Sequence, residues 1–173
     1  MRILGIDPGL RITGYGCVDA RGHDLTLVEA GVFKLGKGRA PGQGAASVSE
    51  RLAELDTDFR ELLERLEPEV VGVEALFAHY AHPATAIVMG HARGVLLLAI
   101  RRAGARLVEF KPALVKNAIT GHGRATKDQM QSAIQGLFGL AEPPDPPDVA
   151  DALAVAVCAA RRIALGLDAA RSM

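Results

Sequence analysis

The chain has 173 residues, of which 49% are hydrophobic and 23% charged. This ordinary globular composition excludes a disordered chain, a fibrous repeat and a mini-protein that needs staples. At roughly 150 residues per domain it predicts one domain over residues 1–173, with a short loose tail after about residue 166. Lys plus Arg and Asp plus Glu each number 20, so a generally basic coat for nucleic acid is excluded while a local basic face is not.

Arg2 to Asp7 (RILGID) is a short apolar run ending in an acid, the pattern of a buried strand, and Pro8-Gly9 breaks it. Ile12 to Asp19 predicts a second strand, Ala20 to Asp24 a turn centred on Gly22, and Leu25 to Lys34 a third strand. Together they form an antiparallel meander. Leu35 to Gly44, with four glycines and a proline, is a loop. Ser47 or Ser49 can cap the next helix, in which Leu52, Leu55, Phe59, Leu62, Leu63 and Leu66 recur at helical spacing until Pro68. Val70 to Glu74 (VVGVE) is a fourth strand, again apolar and again ending in an acid. Ala84 to Ala103 is a long helix rich in small residues, stopped by Gly104, and Ala105 to Phe110 is a fifth strand. Helices follow over Pro112 to Ile119, Thr126 to Phe138 and Pro147 to Leu165, with the stiff proline-rich segment from Glu142 to Pro147 before the last. A meander leading into two strand–helix crossovers predicts an α/β fold, a five-stranded mixed sheet flanked by helices.

Charge is unevenly spread. Met1 to Val88 carries nine basic and 13 acidic residues, a net of −4, and Met89 to Met173 carries 11 and seven, a net of +4. Arg101 to Lys127 alone sets seven basic residues against Glu109. Such a segment suits an anionic polymer, or is simply a solvated face. Cys17 and Cys158 lie far apart and make no metal-type cluster, which fits a reducing compartment. Uninterrupted apolar stretches such as Gly94 to Ile100 are far shorter than the roughly 20 residues of a membrane span. Asp7 follows too few apolar residues for a signal peptide. The expectation is a cytoplasmic protein with no membrane partner.

The acids stand where a metal site needs them. If the first and fourth strands run parallel, Asp7 and Glu74 emerge at one sheet edge, where open α/β sheets hold ligands. Asp148 and Asp151, three apart at the start of the last helix, share a face. Carboxylates without cysteine or an obligatory histidine make an all-oxygen environment suited to Mg²⁺ or Mn²⁺ rather than Zn²⁺. Two such ions about 3.5–4 Å apart stabilise both the attacking and the leaving oxygen of a phosphodiester displacement. Each acid also has a structural reading. Asp7-Pro8-Gly9 is good turn chemistry, and Asp148 and Asp151 complement a helix dipole. Glu74 resists such a reading, because an unpaired carboxylate leaving a buried strand is costly. Asp145, among prolines, is the expected decoy. Gly5, Gly9, Gly14 and Gly16, around Asp7, read as room for a phosphate or a nucleic-acid backbone, though without the Lys-Ser/Thr ending of a P-loop.

Five motifs in order carry a resemblance: Gly5-Ile6-Asp7-Pro8-Gly9, Thr13-Gly14-Tyr15-Gly16, Glu74-Ala75-Leu76-Phe77, Gly90-His91-Ala92-Arg93-Gly94 and Asp148-Val149-Ala150-Asp151-Ala152-Leu153-Ala154. Together they resemble the RuvC family of bacterial Holliday junction resolvases, whose fold is ribonuclease-H-like, over roughly Met1 to Leu165. The resemblance implies a structure-specific endonuclease that resolves four-way DNA junctions by paired symmetric nicks through metal-assisted hydrolysis. It implies two ions, Mg²⁺ or Mn²⁺, held by Asp7, Glu74, Asp148 and Asp151. It also implies a homodimer acting with the RuvA–RuvB branch-migration machine. Phe77 matches an aromatic that inserts at the junction centre, and its alternative is a core position. Lys116 and Lys127 match lysines near the scissile phosphate and the DNA backbone, and their alternative is solvated charge. Lys127 could supply the cation that a phosphoryl transition state needs. Arg124, in the same basic segment, joins them as a DNA-binding candidate. One face of the small-residue helix must pack on its own sheet, and the resemblance gives another to a two-fold interface matching the junction's symmetry. His23, His79, His82, His91 and His122 have no ligand-pair spacing and stay unassigned.

Two other readings compete. Actin-like sugar kinases also begin with a strand, an Asp and a glycine hairpin, but they need two such lobes, and no second Asp-x-Gly hairpin occurs in the latter half. A non-catalytic junction-binding protein would have no need of four intact acids.

Overall fold

The computed structural model describes residues 1–36, 44–75 and 83–166. Its elements in chain order are β1 (Arg2–Asp7), β2 (Ile12–Arg21), β3 (Asp24–Lys34), α1 (Val48–Leu66), β4 (Val70–Glu74), α2 (Pro83–Arg102), β5 (Arg106–Phe110), α3 (Pro112–Thr120), α4 (Lys127–Phe138) and α5 (Pro147–Ala164). The expected order therefore holds, with small shifts at the ends. β2 and β3 run further into their hairpin than expected, because Arg21 still pairs with Asp24 across a turn in which Gly22 takes φ +62°. Of the two candidate caps on α1, Ser47 is the one used: its hydroxyl accepts from the Glu50 N–H, and the Glu50 carboxylate accepts from the Ser47 N–H. The expected tail after residue 166 lies outside the described residues.

The sheet order is β3-β2-β1-β4-β5. β2 pairs antiparallel with β1 and β3, while β4 pairs parallel with β1 and β5. It is the mixed sheet expected from a meander followed by crossovers. Side chains alternate between its two faces. Ile3, Val18, Val70 and Val108 join one core with α3, α4 and α5, and Leu4, Ile6, Cys17, Val71 and Val73 join the other with α1 and α2. The same alternation directs Asp7 and Glu74, the last residues of β1 and β4, to the α5 side.

α5 is the central helix. Every residue from Ala152 to Ala160 is buried, five of them alanines. The helix lies against the sheet at backbone distance: a Cβ on Gly5 would stand 2.1 Å from the Ala152 carbonyl oxygen, and one on Gly14 would stand 2.1 Å from that of Asp148. These glycines were expected to leave room for a phosphate. The structure corrects this, since the space belongs to α5.

α2 is long and apolar enough by length and composition to cross a membrane. Sequence runs alone did not reveal this, because Arg93 and His91 interrupt it. Its Ala92, Leu96, Ala99 and Ile100 are buried in the core shared with α1. Its other face is open among the described residues: Ile87 is 61% and Leu98 51% exposed, and none of those residues comes within 4 Å of a Cβ on Gly90 or Gly94.

Candidate active site

Asp7 and Glu74 reach one edge because β1 and β4 are parallel and in register, Ile6 opposite Val73. Each acid is the last residue of its strand. Asp148 is delivered to the same edge by β2, since Gly14 is paired with Asp7 and its bare Cα faces the Asp148 carbonyl. Asp151 follows one turn along α5. The turn after Asp7 is tied by Thr13, fully buried, whose hydroxyl donates to the Gly9 carbonyl and accepts from the Gly9 N–H.

The electrostatics show one neighbourhood. Burial pushes the Asp7 carboxyl well above its ordinary range, and Glu74, Asp151 and Asp148 push it further, while Lys127 opposes them. Burial and the Asp151 charge raise Glu74 from 4.5 to about 7, against Lys116. Asp151 is also raised by burial, with Lys127 and Lys116 opposing and Asp148 adding. Among the described residues, none of the four carboxyl groups has a hydrogen-bond donor or an ion-pair partner. Unpaired carboxylates out of water together are costly, and a divalent cation would relieve that cost. As the side chains stand, no three such groups among the described residues are close enough to enclose an ion. The donor chemistry and the shared edge fit an oxygen-seeking cation, and the carboxylates must turn inward to hold one.

The two lysines come from separate helices. Lys116 is half-buried on α3, and Lys127 is the first residue of α4, exposed behind its Thr126 cap. α5 positions α3: the Arg161 guanidinium donates to the Ala118 carbonyl at 2.6 Å, and the Cys158 thiol faces the Val115 carbonyl at 3.9 Å. Arg124 is exposed on the connection between α3 and α4, three residues before Lys127. Asp145 is exposed, in the proline-rich segment before α5. His23, His91 and His122 are all exposed. Phe77, His79 and His82 lie outside the described residues.

One residue of the site carried no role in the sequence. Arg93, in α2, donates to the main-chain carbonyl of Glu74 at 2.8 Å and pairs with Glu109 of β5. Its side chain is only 13% exposed. It stood inside a quoted motif, but spacing could not show that it crosses from the far face of the sheet.

A mixed sheet in this order, with acids gathered at the carboxyl edge of two parallel strands, is the ribonuclease-H-like architecture of enzymes that cut phosphodiesters. The family described as crossover junction endodeoxyribonuclease RuvC matches residues 3–159. A member from Moorella thermoacetica is 46% identical over 158 residues, 91% of this chain and 90% of its own. Thermus thermophilus RuvC, solved in complex with a Holliday junction substrate, superposes with a TM-score of 0.83 at 34% identity over 96% of each chain. The yeast mitochondrial resolvase Ydc2 shares the fold at 16% identity, with a TM-score of 0.68 over 95% of this chain and 82% of its own. The chain belongs to the RuvC family of crossover junction endodeoxyribonucleases.

Proposed function

We propose that this chain resolves four-way DNA junctions by paired symmetric nicks, as a homodimer in the cytoplasm, on junctions delivered by RuvA–RuvB. The observation that carries the reading is the convergence of unpaired, desolvated carboxyl groups from β1, β4 and α5 opposite Lys116 and Lys127. The Thermus relative bound to a Holliday junction supports the substrate.

Asp7, Glu74, Asp148 and Asp151 hold two divalent ions, Mg²⁺ or Mn²⁺. Such ions, when bound, would supply Lewis-acid chemistry for phosphodiester hydrolysis. The chain's own groups do the rest. The acids would fix the ions against β1, β4 and α5, which pack together in one buried core. Lys127 meets the charge that develops on the phosphate. Lys116 holds the neighbouring backbone without reading sequence, and Arg124 contacts the DNA further from the acids. Phe77, three residues beyond Glu74, inserts between bases at the junction centre, as apolar wedges do in distorted DNA. The open face of α2, with Ile87, Gly90, Gly94 and Leu98, supplies the two-fold interface.

The test is cleavage of a synthetic four-way junction and a linear duplex of the same arms, in Mg²⁺, Mn²⁺ or EDTA, with nicks mapped on all strands. Symmetric nicks confined to the junction and lost in EDTA are expected. Asp7→Asn should bind the junction without cutting it. Equal cutting of the duplex, or cutting by Asp7→Asn, refutes the reading.

A further inference from the structure

Metal-binding edges are set by the groups that hold the ligands as well as by the ligands themselves, and here one such group comes from an unexpected side. Asp7, Asp148 and Asp151 are placed by the sheet and α5, on one face. Glu74 differs. It is the last residue of β4, and the β1–β4 register ends one residue earlier, at Ile6–Val73. From Ala75 the chain leaves the sheet, held by the Ala75 N–H donating to the Phe110 carbonyl at 2.8 Å. The Glu74 main chain therefore sits where the ladder is running out.

Arg93 holds that point from the α2 face. One arm of its guanidinium donates to the Glu74 carbonyl at 2.8 Å, and the other is paired with the Glu109 carboxylate on β5. The guanidinium fork is planar and presents its donors in fixed relation, so fixing one arm on β5 fixes where the other can receive Glu74. The guanidinium side chain is 13% exposed, whereas its Glu109 partner is 48% exposed, so the bond to the Glu74 carbonyl is the better shielded of the two. Other roles fit poorly: its donors face inward to a carbonyl and a carboxylate, leaving little of the group to meet DNA.

We propose that Arg93 is a positioning residue for the metal site: bridging Glu109 and the Glu74 carbonyl, it sets how far the Glu74 carboxylate reaches toward the ion. This rests on the reading of Glu74 as a metal ligand. Groups that orient metal ligands typically contribute about 10–100-fold to affinity or activity. Small misplacements at a reacting centre can cost about 100-fold.

The experiment uses the full chain freed of metal, with Mn²⁺ as the probe in calorimetry. Arg93→Met keeps the buried stem and removes both bonds, and Arg93→Lys keeps the charge but lacks the planar fork that fixes the two bonds relative to each other. Junction affinity in EDTA and melting temperature are measured alongside, and Glu74→Gln serves as the reference. Arg93→Met should bind Mn²⁺ at least about 10-fold more weakly, with junction affinity in EDTA unchanged, and Arg93→Lys should fall between it and the unaltered chain. Cleavage by both variants should recover partly as Mn²⁺ is raised. A purely structural arginine would lower the melting temperature and leave the Mn²⁺ affinity of the folded protein intact; that result overturns the proposal. So does a parallel loss of Mn²⁺ and junction affinity, which marks general disorder. If Arg93→Met does not fold, Arg93→Lys decides, and unaltered Mn²⁺ affinity there overturns the proposal. If Glu74→Gln weakens Mn²⁺ binding and the Arg93 variants do not, only the role of Arg93 fails. If Glu74→Gln has no effect either, the metal-site reading fails with it.

Discussion

Removing the charge of Glu74 should stabilise the metal-free protein while destroying its activity. Burial and Asp151 raise the Glu74 carboxyl from 4.5 to about 7 in the folded chain. A carboxyl raised on folding binds its proton more tightly in the folded state. Its contribution is therefore fully present below the unfolded value and is lost as pH rises through the folded one. At pH 8 the charged form is thus a liability of the metal-free fold. The interval from 4.5 to about 7, at about 1.4 kcal/mol per pH unit, sets an upper bound of about 3 kcal/mol. Solvent still reaches part of the group, so about 2 kcal/mol is the working figure. For a chain of this size that is about 4–8 °C in melting temperature. The assay is thermal melting in EDTA from pH 4 to pH 9, for the unaltered chain and Glu74→Gln. The variant should melt higher at pH 8, and the gap should close below about pH 5 as the native carboxyl takes its proton. Adding Mg²⁺ should raise the unaltered chain and leave the variant nearly unmoved, since a ligand stabilises only the state that binds it. A variant that melts at or below the unaltered chain at pH 8 refutes the account of Glu74 as a desolvated, uncompensated charge.

Three further outcomes are expected. Lys116→Ala should reduce the slope of log affinity against log salt by about one unit on junction DNA, and an unchanged slope places Lys116 off the backbone. Gly14→Ala should cost about 1–3 kcal/mol or more in denaturant unfolding and lose cleavage beyond that, because the new methyl meets the Asp148 carbonyl; normal cleavage per folded molecule would refute the positioning of Asp148 through Gly14. Phe77→Ala should melt within a few degrees of the unaltered chain and bind junctions but cut them poorly, with the deficit shrinking on junctions whose central bases are unpaired. A stability loss of about 3–5 kcal/mol with normal cleavage per folded molecule returns Phe77 to a core.

Most of this architecture was legible in the residues because its signals are local. RILGID and VVGVE are apolar runs that end in acids, and a run of that kind marks both the strand and the point where its acid emerges. Pro68, Gly104 and the Ser47 cap of α1 punctuate the chain by backbone chemistry that needs no tertiary partner. What could not be read were facts of close approach between distant segments. Gly5 and Gly14 carry no side chain, so the sequence shows a vacancy without showing that α5 fills it. Arg93 lies 19 residues from Glu74 and reaches it across the sheet, a relation with no periodicity. The apolar character of α2 was likewise masked by Arg93 itself, whose charge is absorbed by Glu109 and the Glu74 carbonyl.

The bare-backbone seating of α5 also bears on which ions the edge tolerates. Mg²⁺ takes oxygens at about 2.0–2.1 Å in near-octahedral order, whereas Ca²⁺ takes them at about 2.3–2.6 Å in looser shells. A site whose ligands ride on flexible side-chain packing can dilate to suit the larger ion. Here the carbonyl of Asp148 already rests on the Cα of Gly14, and the Ala152 carbonyl on that of Gly5. α5 cannot move inward, and moving outward would open a void along its alanine face and forfeit dispersion contacts. The backbone span between β1 and α5 is thereby held from both sides, so at the proposed metal site any adaptation to ionic radius would fall to the carboxylate side chains alone.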